Sequence, residues 1–241
     1  MHRLACVFAH PDDETFAPGG TLAKLAARGD RIDLFCATDG DAGGSSGIPV
    51  ASRAELGALR RIELTAAAGV LGISSLTTPG HPDGALREVD QDLLIGEIVY
   101  FLRRYRPEVV VTFGPEGAPS HHRDHRAISR AATAAFFLSP LATEYSEQAR
   151  EVDPYGAARL YYCAWEPPAA GAERQALSVP LTCRVDVTDF LGKRREAFEL
   201  HRSQHQTRRH FEAATTDLDN FALAAGVAQP QAVTTDLFQG L

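Results

Sequence analysis

The chain has 241 residues, of which 44% are hydrophobic and 23% charged, with 24 basic and 31 acidic side chains. This length suits one large α/β domain or two small ones, and we expect a single domain over residues 1–241. The net charge of −7 excludes the basic character typical of nucleic-acid-binding proteins. We also expect no membrane span and no signal peptide, because the apolar runs are short and the N-terminus leads straight into a strand. The four cysteines lack the paired spacing of a metal or redox site, which favours reduced thiols in a cytoplasmic protein.

The first predicted strand, residues 4–9, runs into an acidic loop, residues 10–14, with the sequence HPDDE. A predicted helix follows, so the loop lies at the carboxyl end of a strand, where open α/β sheets bind ligands. His10 and Asp13 share a face if the turn is helical and could grip one cation, which leaves Asp12 as a candidate general base. A capped helix start explains one acidic residue but not a histidine with three acids. Metal binding is therefore the favoured interpretation.

Two further strands are predicted over residues 31–38 and 73–77, on either side of a helix over residues 52–71. Apolar residues at helical spacing indicate this helix, and a glycine ends it. The sequence His81-Pro82-Asp83 follows the third strand and echoes the first motif without its second acid. A turn is the favoured interpretation, with Asp83 as a candidate site residue.

A helix over residues 93–105 and a strand over residues 108–113 continue the alternation of strands and helices. This alternation predicts a Rossmann-like α/β fold, with a mostly parallel sheet, helices on both faces and right-handed connections. The site is expected at the carboxyl ends of the strands.

The strand over residues 108–113 ends in a loop with three histidines in five residues, before a predicted helix over residues 126–137. His122 and His125 are three residues apart and could both face one point. Asp124 lies between them and could orient a neighbouring imidazole. Spacing alone does not decide which histidine binds a metal.

These motifs resemble those of the PIG-L/LmbE-like family of zinc-dependent N-deacetylases. The matching segments, in the family's order, are Ala9-His10-Pro11-Asp12-Asp13-Glu14, Arg60-x-x-Glu63-Leu64, Asp83-Gly84, His122-x-Asp124-His125 and a C-terminal pattern with Lys193, Ala197, His201 and Ser203-Gln204. The resemblance covers residues 1 to about 204, and the first motif is its most specific part.

The resemblance implies a role for each matching residue. His10, Asp13 and His125 would bind Zn²⁺ or another divalent metal, Asp12 would be the general base, and His122 would protonate or polarise the substrate, with Asp124 beside it. Arg60 and Asp83 match positions that contact the sugar. The implied reaction removes an acetyl group from an N-acetylglucosamine-type substrate, a small-molecule sugar conjugate. Ser120 stands where some members have a tyrosine, so no oxyanion donor is assigned there.

Two alternatives stay open, a metallophosphoesterase and a non-catalytic sugar-binding member of the same fold. The aglycone is also open, although Arg60 and Arg123 could favour an acidic one, and a homo-oligomer is compatible with the sequence. Residues 139–157 are expected to form a loop bordering the site. Late strands over residues 159–165 and 181–187, joined by a linker, precede a helix over residues 191–201, and the tail beyond Asn220 carries no readable chemistry.

Overall fold

The computed structural model, described for residues 1–165, 180–227 and 232–241, contains a mixed sheet of seven strands. The strands are β1 (Arg3–Phe8), β2 (Arg31–Cys36), β3 (Ser75–Thr77), β4 (Val109–Phe113), β5 (Arg159–Ala164), β6 (Cys183–Asp186) and β7 (Leu218–Gly226), in the spatial order β3-β2-β1-β4-β5-β7-β6. Strands β1 to β5 are parallel, whereas β7 pairs antiparallel with both β5 and β6. The predicted mostly parallel sheet is therefore confirmed, and the predicted linker lies almost entirely outside the described residues.

The helices pack in two groups. They are α1 (Asp13–Phe16), α2 (Gly19–Arg28), α3 (Arg53–Leu71), α4 (Gln91–Tyr105), α5 (Arg123–Leu138), α6 (Leu191–Leu200) and α7 (Arg208–Ala214). Helices α2, α3 and α6 contact one another, and α4 contacts α5. Right-handed connections place α2 and α3 on one face and α4 and α5 on the other, because the chain reverses its direction across the sheet between β3 and β4.

This reversal fixes the position of the site. Strand β1 lies between β2 and β4, so the connections that leave β1 and β4 diverge to opposite faces of the sheet. Such a switch in strand order opens a crevice at the carboxyl ends of the strands. The loop over residues 10–14 follows β1 and the loop over residues 114–122 follows β4, so both histidine-bearing motifs meet in this crevice.

The sequence explains why these elements form where they do. Every residue of β4 is buried, as expected for a β-branched and aromatic strand at the centre of a parallel sheet. The side chain of Ser52 accepts the N–H of Glu55 and caps α3, and Gly72 ends α3 with a φ of 74°. The alternation of apolar strands and capped helices therefore builds the layers that hold the site.

Two details differ from the sequence-based expectations. Helix α5 begins at Arg123 and not at residue 126, because the imidazole of His122 caps it. The expectation that residues 139–157 border the site is wrong: buried Arg103 on α4 donates to the carbonyls of Leu141 and Glu144 and holds this segment against α4.

No helix within the described residues is long and apolar enough to cross a membrane.

Candidate active site

The first motif forms a tight turn whose backbone is held by side chains. Asp12 has a φ of 112°, a left-handed conformation that non-glycine residues rarely adopt. The carboxylate of Glu14 accepts the N–H of Asp12 at 3.0 Å through Oε2 and lies 2.6 Å from Nε2 of His201 through Oε1. Glu14 and His201 are both buried. The turn is therefore tied to the C-terminal part of the chain by a buried pair.

Asp13 joins the two histidine loops. Its Oδ1 lies 3.2 Å from Nε2 of His125, and its Oδ2 lies 3.5 Å from Nδ1 of His10. Oδ2 also accepts the backbone N–H groups of Ala9 at 3.1 Å and His10 at 2.8 Å. Burial opposes ionisation of Asp13, but the neighbouring imidazoles of His125 and His10 hold its pKa well below the usual range. Asp13 is therefore an anion between two imidazoles.

The other nitrogen of each imidazole has a partner of its own. Nε2 of His10 lies 3.1 Å from Asp83 and 3.4 Å from Asp124, and Nδ1 of His125 lies 3.5 Å from the hydroxyl of Ser120. Burial disfavours a charged His10, but the surrounding carboxylates raise its pKa well above the ordinary value. Carboxylate and hydroxyl partners on the outer nitrogen are how metal-binding histidines are oriented. This arrangement leaves Nδ1 of His10 and Nε2 of His125 facing Asp13.

The donor set fits a divalent metal. Nitrogen atoms of His10, His122 and His125 lie within 4.8 Å of one another, and His10, Asp83 and Asp124 form a second such group. Two imidazoles and one carboxylate with space beside them are typical of catalytic zinc sites. His122 offers an alternative third ligand to Asp13, so the geometry alone leaves both sets open.

His122 and Asp124 do not pair in the expected way. Nδ1 of His122 accepts the backbone N–H of Asp124 at 3.2 Å, which assigns the proton of the neutral ring to Nε2. The carboxylate of Asp124 turns away and accepts the N–H groups of Gly84 at 2.6 Å and Leu86 at 3.2 Å. Burial, and after it the neighbouring imidazoles of His10 and His125, lowers the pKa of His122. The imidazole that Asp124 orients is therefore His10, and His122 is a neutral N–H donor.

Asp12 lies beside this cluster with an unusual acidity. Burial, reinforced by the charge of Asp13 and opposed by that of Arg60, raises the pKa of Asp12 to about 6. A carboxylate with a pKa close to neutrality is suited to accept a proton from water. The structure thus brings a candidate base next to the candidate metal ligands.

Arg60 contacts the motif more than the open cavity. Its guanidinium donates to the carbonyls of Gly40 at 2.8 Å and of Pro11, and lies 3.5 Å from Asp12. A Cβ at Gly40 or Gly43 would overlap the guanidinium, so these glycines make room for it. Arg60 lines the cavity but is only 3% exposed, and its buried Nε has no partner among the described residues.

A hydrogen bond from the loop after β2 holds the carboxylate of Asp83 in the site. Its Oδ2 accepts the N–H of Ala42 at 2.9 Å, while Oδ1 faces His10. Although burial opposes it, the imidazole of His10 lowers the pKa of Asp83 to about 2. The turn that contains Asp83 thus supplies an anion beside the candidate metal ligands.

Two matching segments support the site from outside. The carboxylate of Glu63 on α3 accepts the N–H of Ser203 at 2.9 Å and its hydroxyl at 2.6 Å. The amide of Gln204 donates to the carbonyl of Gly44 at 2.8 Å and reaches the cavity. The sequence contained the motif residues but no sign of this pairing, because the partners are 140 residues apart.

All eight candidate residues named from the sequence lie at one cavity of about 960 Å³ or directly behind it. Seven of them line the cavity: His10, Asp12, Asp13, Arg60, Asp83, His122 and His125. Asp124 lies one layer behind, fully buried against His10. Side chains from the loops after β1, β3 and β4 and from α1, α3 and α5 therefore converge on one cavity.

Comparison with known proteins is consistent with this geometry. The family model described as PIG-L, GlcNAc-PI de-N-acetylase, matches residues 5–136. A 1D-myo-inositol 2-acetamido-2-deoxy-alpha-D-glucopyranoside deacetylase from Rhodococcus jostii is 30% identical over 268 residues, covering 95% of this chain and 88% of that protein. The match includes both histidine motifs and confirms the resemblance seen in the sequence.

Solved structures share the fold at lower identity. N,N'-diacetylchitobiose deacetylase from Pyrococcus horikoshii superposes with a TM-score of 0.76 at 21% identity, covering 99% of this chain and 88% of that one. GalB, the 4-carboxy-2-hydroxymuconate hydratase from Pseudomonas putida, superposes with a TM-score of 0.70 at 21% identity, covering 96% and 100%. The fold alone therefore does not decide the reaction. Because the family model spans more than half of the chain and the Rhodococcus relative matches nearly all of it, this protein belongs to the PIG-L family of de-N-acetylases.

Proposed function

We propose that the protein is a zinc-dependent deacetylase that hydrolyses the acetamide of an N-acetylglucosamine-type substrate. The observation that carries this proposal is the buried cluster of His10, Asp13 and His125 with Asp12 at its edge. Family membership supports amide hydrolysis, and the name of the Rhodococcus relative supports an N-acetylated glucosamine conjugate as the small-molecule substrate.

The proposed ligands are His10 through Nδ1, Asp13 and His125 through Nε2. Their outer atoms already have partners, whereas these atoms face one another. When bound, zinc supplies a Lewis acid that lowers the pKa of water and polarises a carbonyl. A divalent ion of another element would use the same ligands.

Asp12 carries the proton transfers, and His122 stabilises the charge that develops on the substrate. Asp12, whose pKa of about 6 keeps it ionised at neutral pH, accepts the proton of the attacking water. His122, a neutral imidazole, donates an Nε2–H hydrogen bond to the carbonyl oxygen that gains charge, and the proton held by Asp12 passes to the departing amine. Asp124 orients His10, and in this proposal that is its contribution to catalysis.

Arg60 and Asp83 are proposed to contact the sugar. Both line the cavity together with Asp12, and a guanidinium and a carboxylate offer a donor and an acceptor to the hydroxyl groups of a sugar. The sheet and the cavity draw on residues from both ends of the chain, which supports one catalytic domain over residues 1–241. The four cysteines are free and buried, which supports a reducing, cytoplasmic compartment.

The rival functions make different predictions. A metallophosphoesterase usually requires two metals, and a non-catalytic sugar-binding member would bind without turnover. A hydratase, as the shared fold with GalB allows, would add water to a carbon–carbon double bond and release no acetate. Each rival is therefore separable by metal content and product.

The test is acetate release from a panel of N-acetylglucosamine conjugates, measured with chelated and metal-restored enzyme. Chelation should abolish activity, Zn²⁺ should restore it, and metal content should be near one per chain. Asp13→Ala should lose metal, because it removes the anionic ligand. An Asp13→Ala protein that keeps one tightly held metal would show that the ligand set is wrong.

A further inference from the structure

The cavity has an apolar side that amide hydrolysis does not use. We call the apolar wall the set of Phe16, Ala164, Trp165, Ala213, Ala214 and Ala222, all of which line the cavity. A volume of about 960 Å³ is near the top of the roughly 300–1,000 Å³ typical of pockets for drug-sized ligands. The cavity therefore holds more than an acetylated sugar ring.

Ring stacking places the apolar wall next to the proposed metal ligands. Phe113 stacks on the imidazole of His125 with a centroid distance of 4.0 Å. The indole ring of Trp165 also stacks with the ring of Phe113, with a centroid distance of 6.5 Å. Trp165 is thus one aromatic ring away from His125, close enough for one substrate to touch both the site and the wall.

A second ring contact packs α7 against the segment that follows the first motif. Phe16, three residues after Asp13, packs against Phe211 on α7 at 5.4 Å. This contact fixes the end of α7, where Ala213 is exposed and Ala214 is half-buried. Short side chains at this end leave the space that larger residues would fill.

The charges at the cavity give little support to the acidic aglycone considered from the sequence. The guanidinium of Arg60 is engaged with two backbone carbonyls and with Asp12. Arg123, which also lines the cavity, is exposed on the first turn of α5, where solvent screens its charge. The residues of the apolar wall are uncharged, and His210, on the same helix as Ala213 and Ala214, also lines the cavity.

We propose that the apolar wall is a subsite for an apolar aglycone, an alkyl or aryl group carried by the N-acetylglucosamine. This inference rests on the proposed function. An apolar group in this subsite removes both its own surface and that of the alanines from water, which favours binding in proportion to the area buried. At full burial, each added methylene group is expected to raise kcat/KM about fourfold.

The experiment compares methyl, propyl and hexyl N-acetylglucosaminides with inositol and malate conjugates in an acetate-release assay. We expect kcat/KM to rise from methyl to hexyl and to exceed that of the polar conjugates. Ala214→Asp and Ala213→Asp should collapse the hexyl-to-methyl ratio by at least about tenfold, because each puts a charge on the subsite. Ala66→Asp, an exposed alanine of α3 outside the cavity, is the matched control and should keep the ratio.

Calorimetric binding of the hexyl and methyl glycosides to chelated enzyme separates the two proposals. Acetate release without a dependence on chain length would overturn the apolar subsite and leave the proposed function in place. No acetate release, with hexyl binding that Ala214→Asp abolishes, would overturn the proposed function and support the subsite. If the wild-type protein is a dimer and Ala214→Asp dissociates it, the apolar wall is an interface with a second copy of the chain, and the proposed subsite is wrong.

Discussion

Replacing Glu14 should lower turnover without releasing metal, because its carboxylate acts on the backbone of the proposed base. Asp12 has a φ of 112°, a conformation that costs a non-glycine residue on the order of 1–3 kcal/mol. Glu14 accepts the N–H of Asp12 at 3.0 Å and is itself held by His201 at 2.6 Å. Both partners are buried, so no water can take over their hydrogen bonds. We expect this pair to keep the Asp12 carboxylate aimed at the substrate water.

The magnitude follows from the hydrogen bond that is lost. A hydrogen bond to a charged group contributes roughly 1.5–3 kcal/mol. If that free energy is lost from the placement of Asp12, kcat falls roughly 10- to 150-fold in Glu14→Gln. KM should change little, because Glu14 does not line the cavity.

The assay measures kcat, KM, bound metal and thermal unfolding for each variant of the pair. His201→Gln keeps a donor near the position of Nε2 and should retain more turnover than His201→Ala. Asp33→Asn, which alters a fully buried carboxylate bonded to Arg31 and Ser75 on β2 and β3, is the matched control for lost stability alone. The reasoning is refuted if Glu14→Gln lowers the melting temperature like Asp33→Asn but leaves kcat unchanged. Release of metal from Glu14→Gln would instead show that the pair acts through the ligands.

Three further outcomes are expected. Asp12→Asn should keep its metal and lose about 10²–10⁴ in kcat, as removal of a general base does, and loss of metal would contradict this role. His125→Ala should release metal, whereas His122→Ala should keep one equivalent of metal and lose turnover. His121→Ala, the control, should neither release metal nor lose turnover. Metal retention by His125→Ala would contradict its role as a ligand and favour a set that includes His122. Burial lowers the pKa of His201, but its carboxylate partner Glu14 outweighs this effect and raises the pKa above 6.5. The stability that this pair contributes is therefore complete below about pH 6.5 and is lost as the pH rises. Urea unfolding should therefore show a larger difference between wild type and His201→Gln at about pH 6 than at about pH 9, and a constant difference would count against it.

The layers of the fold and the place of the site were readable from the sequence because both depend on local patterns. The apolar run of β4 and the turn residues after it identify a buried strand with a loop at its carboxyl end. The acidic loop after β1 has the same form, and parallel strands bring both loops to one edge. The candidate ligands therefore met as predicted without any knowledge of side-chain contacts.

The side-chain partners were not readable, because they depend on rotamers and on pairs far apart in the chain. Asp124 follows His122 closely in sequence, yet its carboxylate turns to His10, 114 residues away. His201 could have supported the fold or the chemistry by its motif alone. Only its contact with Glu14, 187 residues away, connects it to Asp12. The spacing of residues within a motif does not predict contacts between segments that are far apart in the chain.

The C-terminal part of the chain was the least readable, and it is where selection of the substrate is proposed. The family model covers residues 5–136 and includes all eight candidate site residues. Apart from Phe16, the apolar wall comes from β5 and the residue that follows it, from α7 and from β7, outside that range. Strand β7 pairs antiparallel with β5 and sets Ala222 opposite Tyr162, so this sheet edge can change its side chains without moving β1 or β4. The catalytic residues on the parallel strands and the recognition residues on the antiparallel strands can thus vary independently. The identity of the aglycone must therefore be inferred from the C-terminal residues of this chain.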